Sequence, residues 1–266
     1  MKYLICTFFI FISNYIICQV NVDSIKLYLL QSDNYYKVET TNITQGFKRY
    51  SNKNDLESFD ICIDSLNNLN EYINVSVIHK VFDSNGRLLK RIGYDRKGGY
   101  ALYDFSPILI KSYQRDTIIE EYYNSKEEQT SKKTTILDSL KREIEVIWYK
   151  EGNMFESRTK YEYSDANNRL YIKYISENGN LNPNSYGVSI LLKQFDSKNS
   201  ENVIEEWFYD SKMKLVDADH NNLIPENNSL KYAHIKTVVE EGITYKYFYN
   251  SNGDLICESD GLFISN

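Results

Sequence analysis

Aromatic and aliphatic residues come in short runs along this chain, broken at intervals by a polar stretch. Phe82-Asp83-Ser84-Asn85-Gly86-Arg87-Leu88 is the clearest break, and Tyr249-Asn250-Ser251-Asn252-Gly253-Asp254-Leu255 repeats it near the C-terminus. Looser copies run from Tyr163 to Leu170 and from Tyr174 to Leu181, and Tyr209-Asp210-Ser211-Lys212-Met213-Lys214-Leu215 keeps the frame with Met in place of Gly. Each copy reads as a tight hairpin. The Asp or Asn side chain accepts from backbone amides two residues on and starts a type I turn, and Gly, or Asn as the next best residue, closes the loop in the left-handed conformation. The flanking aromatic and Leu are strand residues. The pattern predicts a mainly all-β fold: an antiparallel meander of repeated β-hairpins in an extended or curled sheet, with at most one or two short helices.

A longer similarity lies between the turns. Ile118-Ile119-Glu120-Glu121-Tyr122-Tyr123 matches Val203-Ile204-Glu205-Glu206-Trp207-Phe208, and Val238-Val239-Glu240-Glu241 heads a degenerate third copy. Repetition on this scale predicts supersecondary units stacked on their neighbours. Residues 76–266 form the expected hairpin-repeat region, continuous with an N-terminal β or mixed region at 19–75. In the latter, Ser24 to Leu30 and Tyr35 to Thr41 read as short strands, and Asp55 to Leu69 fits helix or strand equally. One helix is expected at 126–145, where Ile136, Leu137, Leu140 and Ile144 sit among Lys, Glu and Ser; the alternative there is a charged loop.

Phe82 to Leu88, with its Phe-Asp-x-x-Gly-Arg-Leu, resembles the YD repeat of bacterial RHS-type secreted proteins. The copies ending Tyr-x-x-x-Gly-x-Leu are similar to the variant MORN repeat of exported bacterial proteins. The resemblance covers residues 76–258 with decayed copies, and it implies strand-turn-strand scaffolding without an active site. Spacing between copies is irregular, and the toxin-enclosing arrays of RHS proteins need far more chain, so only the fold idea carries over.

Composition adds the compartment. Lys2 precedes an uncharged run from Leu4 to Ile17. A stretch of roughly 14 residues suits the core of a signal peptide and falls short of the ~20 needed to span a bilayer. Residues 1–18 therefore read as a signal peptide, with cleavage after Cys18 leaving Gln19 first. In a second reading Ile16-Ile17-Cys18 resembles the end of a lipobox and Cys18 is acylated, although Ile17 departs from the small residue normally placed there. The expected location is exported: periplasm, cell surface or secreted, with a lipid tether if Cys18 is modified. The net charge of −6 becomes −7 without Lys2, and a net-negative body offers no footprint for nucleic acid. No further apolar run reaches spanning length, so no membrane insertion is expected after processing. Processing leaves Cys62 and Cys257, which either close one long disulfide or remain buried thiols.

Candidate chemistry is sparse. His79 and His234 alternate with strand residues and read as solvent-facing, while His220 alone has acidic company, in Asp217-Ala218-Asp219-His220-Asn221-Asn222. That segment has oxygen ligands at alternate positions but lacks the turn glycine and the closing Glu of a Ca²⁺ loop, so it reads as a solvated loop. Neighbouring strand residues face opposite sides, so neither Glu120-Glu121 nor Glu205-Glu206 presents both carboxylates to one substrate. One Glu from each pair converging across the sheet is the glycosidase alternative, and outward charges guarding strand edges are the simpler account. No GxSxG, glycine-rich phosphate loop or HExxH occurs. With 24 Tyr in the chain, alternating positions can build a stripe that meets sugars or a protein partner, or else plain half-buried sheet surface.

These readings converge on an exported, non-enzymatic β-repeat protein acting as a binding or scaffold module at the cell envelope or exterior. A protein or glycan partner is expected, without cofactor, metal or catalytic residues. A secreted polymer-degrading hydrolase using paired carboxylates and a neutralising partner of a secreted toxin are the alternatives. A cleft uniting several carboxylates with a His would favour the hydrolase, and a flat Tyr-rich face would favour binding.

Overall fold

The computed structural model describes residues 21–38, 47–63, 74–197, 202–219, 231–240 and 243–260. One α-helix, α1 (Val22–Gln31), is followed by strands β1 (Tyr35–Val38), β2 (Phe47–Asn52), β3 (Glu57–Cys62), β4 (Val77–Phe82), β5 (Leu88–Tyr94) and β6 (Ile108–Gln114). Next come β7 (Thr117–Tyr123), β8 (Gln129–Leu137), β9 (Glu143–Lys150), β10 (Met154–Ser164), β11 (Arg169–Ile175), β12 (Ile190–Phe195) and β13 (Val203–Tyr209). The chain continues through β14 (Ala218–Asp219), β15 (Lys231–Tyr232), β16 (His234–Glu240), β17 (Ile243–Tyr249) and β18 (Leu255–Asp260). Sixteen strands form one sheet in sequence order from β1 to β13 and then β16 to β18, while β14 and β15 pair separately. The strand order is open, and the expected antiparallel meander of hairpins is the observed architecture.

One hairpin turn recurs through this sheet. At Asp83 the carboxylate accepts from the amides of Asn85 and Arg87, both at 2.9 Å. The Asp83 amide donates to the Arg87 carbonyl, and the Gly86 amide donates back to Asp83. The same side-chain and backbone bonds recur at Asp95, Asn124, Asp138, Asn184, Asp210 and Asn250. The fourth residue of each turn is left-handed, as expected for Gly86 (φ 73°) and Gly253 (φ 89°). Glu127, Lys141 and Met213 take that conformation without being glycine. The turn at 163–170 closes differently, through a single 3₁₀ turn, Asp165–Asn167, with Asn168 left-handed.

Two expectations are corrected. Ser24 to Leu30 lies in α1 and not in a strand. Asn21 caps it by accepting from the Ser24 amide at 2.9 Å, and Val22, Ile25 and Leu29 recur at helical spacing to meet the core. The helix expected at 126–145 is instead the hairpin of β8 and β9. The Asp138 turn interrupts it, Leu140 is exposed at the tip, and β-branched Thr130, Thr134, Thr135 and Ile136 favour strand before it. The ambiguous stretch from Asp55 to Leu69 contains β3, and its part at 64–69 lies outside the described residues.

The chain divides into two compact units, residues 1–111 with 121–130, and residues 112–120 with 131–266. Residues 75 and 76 both belong to unit 1. Its sheet is covered on two sides. α1 packs Val22 and Leu29 against Ile61, Val77, Ile92, Tyr94 and Ile108, and the opposite face buries Phe47, Cys62, Val75, Ile78 and Ala101. Among the described residues of unit 2, Val188, Phe208, Ala218, Tyr232, Ile235 and Phe248 pack together as a core. Within unit 2, β8 to β10 rely on cross-strand pairs such as Arg158 with Glu145 and the Lys133 ammonium over the Trp148 ring at 5.8 Å.

Candidate binding surface

Residues directly opposite in a sheet share a face. In unit 2 the register sets Tyr171, Leu192, Trp207, His234 and Tyr249 side by side across β11, β12, β13, β16 and β17. The core residues Phe208, Ile235 and Phe248 occupy the alternate positions and therefore the other face. The Trp207 and His234 rings are parallel within 2° at 5.0 Å between centroids, and His234 and Tyr249 lie 5.1 Å apart at 22°. Strands are spaced about 4.8 Å apart, so these rings stand upright with faces against one another and edges toward solvent. Buried Leu192 ends the stack, and Tyr171 stands beyond it.

Beside Tyr171 the same face has an open hollow. Buried Ile175 and Ile190 form its floor, Tyr171, Leu181 and Met213 its walls, and Lys160, Glu162 and Lys173 its rim. Glu162 and Lys173 pair at 2.6 Å. The Lys160 ammonium lies 4.0 Å from Glu145, a carboxylate that Arg158 already holds at 2.5 Å.

The two strand-borne histidines are half-buried, where the sequence suggested solvent-facing positions, because each stacks on the ring across the ladder. His79 lies on Phe59 at 4.4 Å with its Nε2 2.7 Å from the Glu57 carboxylate, which accepts from it, and the Tyr35 hydroxyl donates to the same carboxylate. The His79 ring, and after it the Tyr35 hydroxyl, hold the Glu57 carboxyl below its usual range despite burial. His234 opposes Trp207, with Glu205 two residues earlier on the same strand and 3.6 Å from Nε2. Burial pulls the His234 imidazole below its ordinary value; Glu205 opposes that shift and Lys236 adds to it.

Glu120 is not an outward edge charge. It is only 8% exposed and faces Lys133 at 3.3 Å, while Glu121 receives the Tyr123 hydroxyl. Glu206 pairs with Lys193 at 2.9 Å, on the side opposite Glu205. The Asp217 carboxylate accepts from the Ser251 amide at 2.6 Å and hydroxyl at 2.9 Å, so it braces the neighbouring turn; residues 220–230 of the Ca²⁺-like segment lie outside the described residues. Cys62 is buried in unit 1, Cys257 packs against the core of unit 2, and no disulfide joins them among the described residues. Cys18 and the segment 1–18 lie outside the described residues.

No protein-family model matches the chain, and no curated protein matches it. Among the described residues no helix is long and apolar enough to cross a membrane.

Proposed function

We propose that this is an exported, non-enzymatic β-repeat protein that works as a binding module through the open face of unit 2. The observation that carries the reading is the row Tyr171–Leu192–Trp207–His234–Tyr249, half-buried except at buried Leu192, on the face of the sheet opposite the core of unit 2. Tyr and Trp give large contact area with few torsions to freeze, and their polar edges accept water or a partner equally well. Such rings are the residues on which binding energy concentrates. The matched Glu pairs support this over a hydrolase, since Glu120, Glu121 and Glu206 are engaged by Lys133, Tyr123 and Lys193. Export rests on the apolar run after Lys2.

The test uses the mature chain with Trp148→Phe, which leaves Trp207 as its single tryptophan. Titration with fractions of the cell envelope should shift Trp207 emission saturably for at least one fraction, and less so in Tyr249→Ala. A flat response to every fraction overturns the face assignment. Polysaccharide or peptide turnover that disappears in Glu205→Gln overturns the non-enzymatic reading. Intact mass of the envelope-fraction protein should start at Gln19 or at acylated Cys18, and retained Met1 overturns export.

A further inference from the structure

Resting on that reading of the face, we infer that the hollow beside Tyr171 takes an acidic polysaccharide, with a sugar ring against Tyr171 and its anionic group at Lys160 and Lys173. Charge is the first argument. The protein carries a formal net charge of −6, yet β9 to β11 present Arg158, Lys160, Arg169 and Lys173 on this face against only Glu145 and Glu162. Glu145 is held by Arg158, Glu162 by Lys173, and Arg169 bonds Gln194 at 2.7 Å. Arg169, bonded to a neutral amide, and Lys160, 4.0 Å from a carboxylate that Arg158 already holds, are thus the cations with charge to spare, and Lys160 stands on the rim of the hollow.

Shape is the second. A pyranose has an apolar C–H face and a polar equator. Ile175, Ile190, Leu181 and Met213 offer an apolar bed, and Tyr171 stands outside the stack that occupies the other rings. The polar rim above that bed suits a carboxylate or sulfate. An acidic peptide fits less well. Extended peptides gain much of their affinity from backbone hydrogen bonds at a sheet edge, and β10, β11 and β12 are interior strands whose backbone groups already pair on both sides.

The test is calorimetric titration of the mature protein with polygalacturonate, dextran sulfate, neutral dextran and poly-glutamate. Binding of polygalacturonate or dextran sulfate at least about 10-fold tighter than neutral dextran is expected, and their ratio assigns carboxylate or sulfate. Lys160→Gln and Tyr171→Ala should each weaken it about 10-fold or more. Lys246→Gln, on the opposite face, should leave it within about two-fold. Circular dichroism melts confirm that each variant folds. Absence of binding to both acidic glycans overturns the inference, as does equal loss in Lys160→Gln and Lys246→Gln, which would mean bulk charge alone. Tighter binding of poly-glutamate replaces the glycan with a peptide. If the glycans fail while an envelope fraction still shifts Trp207, the binding face stands and its ligand class falls.

Discussion

Unit 1 and unit 2 build the same small constellation and use it differently. In each, a Glu stands two residues before an aromatic, and a His opposes that aromatic on the next strand: Glu57, Phe59 and His79 in one, Glu205, Trp207 and His234 in the other. Beyond His79 the row continues through Ile92 and Ile108, and beyond His234 it continues to Tyr249. Aliphatic side chains cannot shield one another fully on a flat sheet, so unit 1 lays α1 over its row. In unit 2 the Trp207, His234 and Tyr249 rings cover each other's faces, and Leu192 is buried beside them. The neighbour of the histidine decides whether the constellation becomes core or surface.

The strongest way to break this contrast is Leu29→Ala. Leu29 is 3% exposed beneath α1, and its truncation should cost about 2–5 kcal/mol in urea unfolding while leaving hydrogen exchange in β16 and β17 unchanged. A smaller cost would mean that the helix is not what covers the row. Glu57→Gln should cost roughly 1–2 kcal/mol, because the carboxylate serves both His79 and the Tyr35 hydroxyl.

pH should separate the units. The His234 imidazole is held below its ordinary value, so the unfolded chain takes up the proton first. Its contribution is complete above about pH 6.5 and is lost as pH falls through the lower folded value. The Glu57 carboxyl is also held low, and its contribution persists until pH falls below about 4.3. Residue-resolved NMR titration should therefore show the His234 ring, read through β13, β16 and β17, responding before the Glu57 carboxyl on acidification. Loss of that order in His234→Gln confirms the source, and a simultaneous response in wild type would contradict it.

Met213→Gly should raise stability by roughly 0.5–1 kcal/mol, since a left-handed Met carries strain that glycine lacks. Thermal melts check the sign. The smallest effect is expected at Glu205→Gln, within about ±0.5 kcal/mol, because its nearest approach to His234 is beyond hydrogen-bond range. A cost matching that of Glu57→Gln would make the two constellations equivalent after all.

The turns at Asp83 and Asn250 were legible from sequence because Gly86 and Gly253 announce the geometry. Those at Asn124 and Asp138 were not, since Glu127 and Lys141 occupy that place and the local bonds of the Asx side chain outweigh their strain. α1 was missed because its short run carries exposed Leu27 and Leu30 beside buried Leu29, which blurs the period. A tyrosine stripe could be foreseen as a class. Its members could not, because register alone brings residues from five strands into one row. Nor could the burial of Glu120, which depends on Lys133 arriving from the next strand.

The recurrent turn has a consequence for how such a chain changes over generations. Each of the seven hairpins headed by Asp or Asn carries its own register instruction: that one side chain grips amides two and four residues onward, within the same few residues. A duplicated segment therefore arrives with its alignment encoded and extends the meander by a strand pair without renegotiating its neighbours. Glu127, Lys141 and Met213 show that an individual copy can drift at its most demanding position and keep its shape. Length and surface can then diverge independently of the rule that folds each unit.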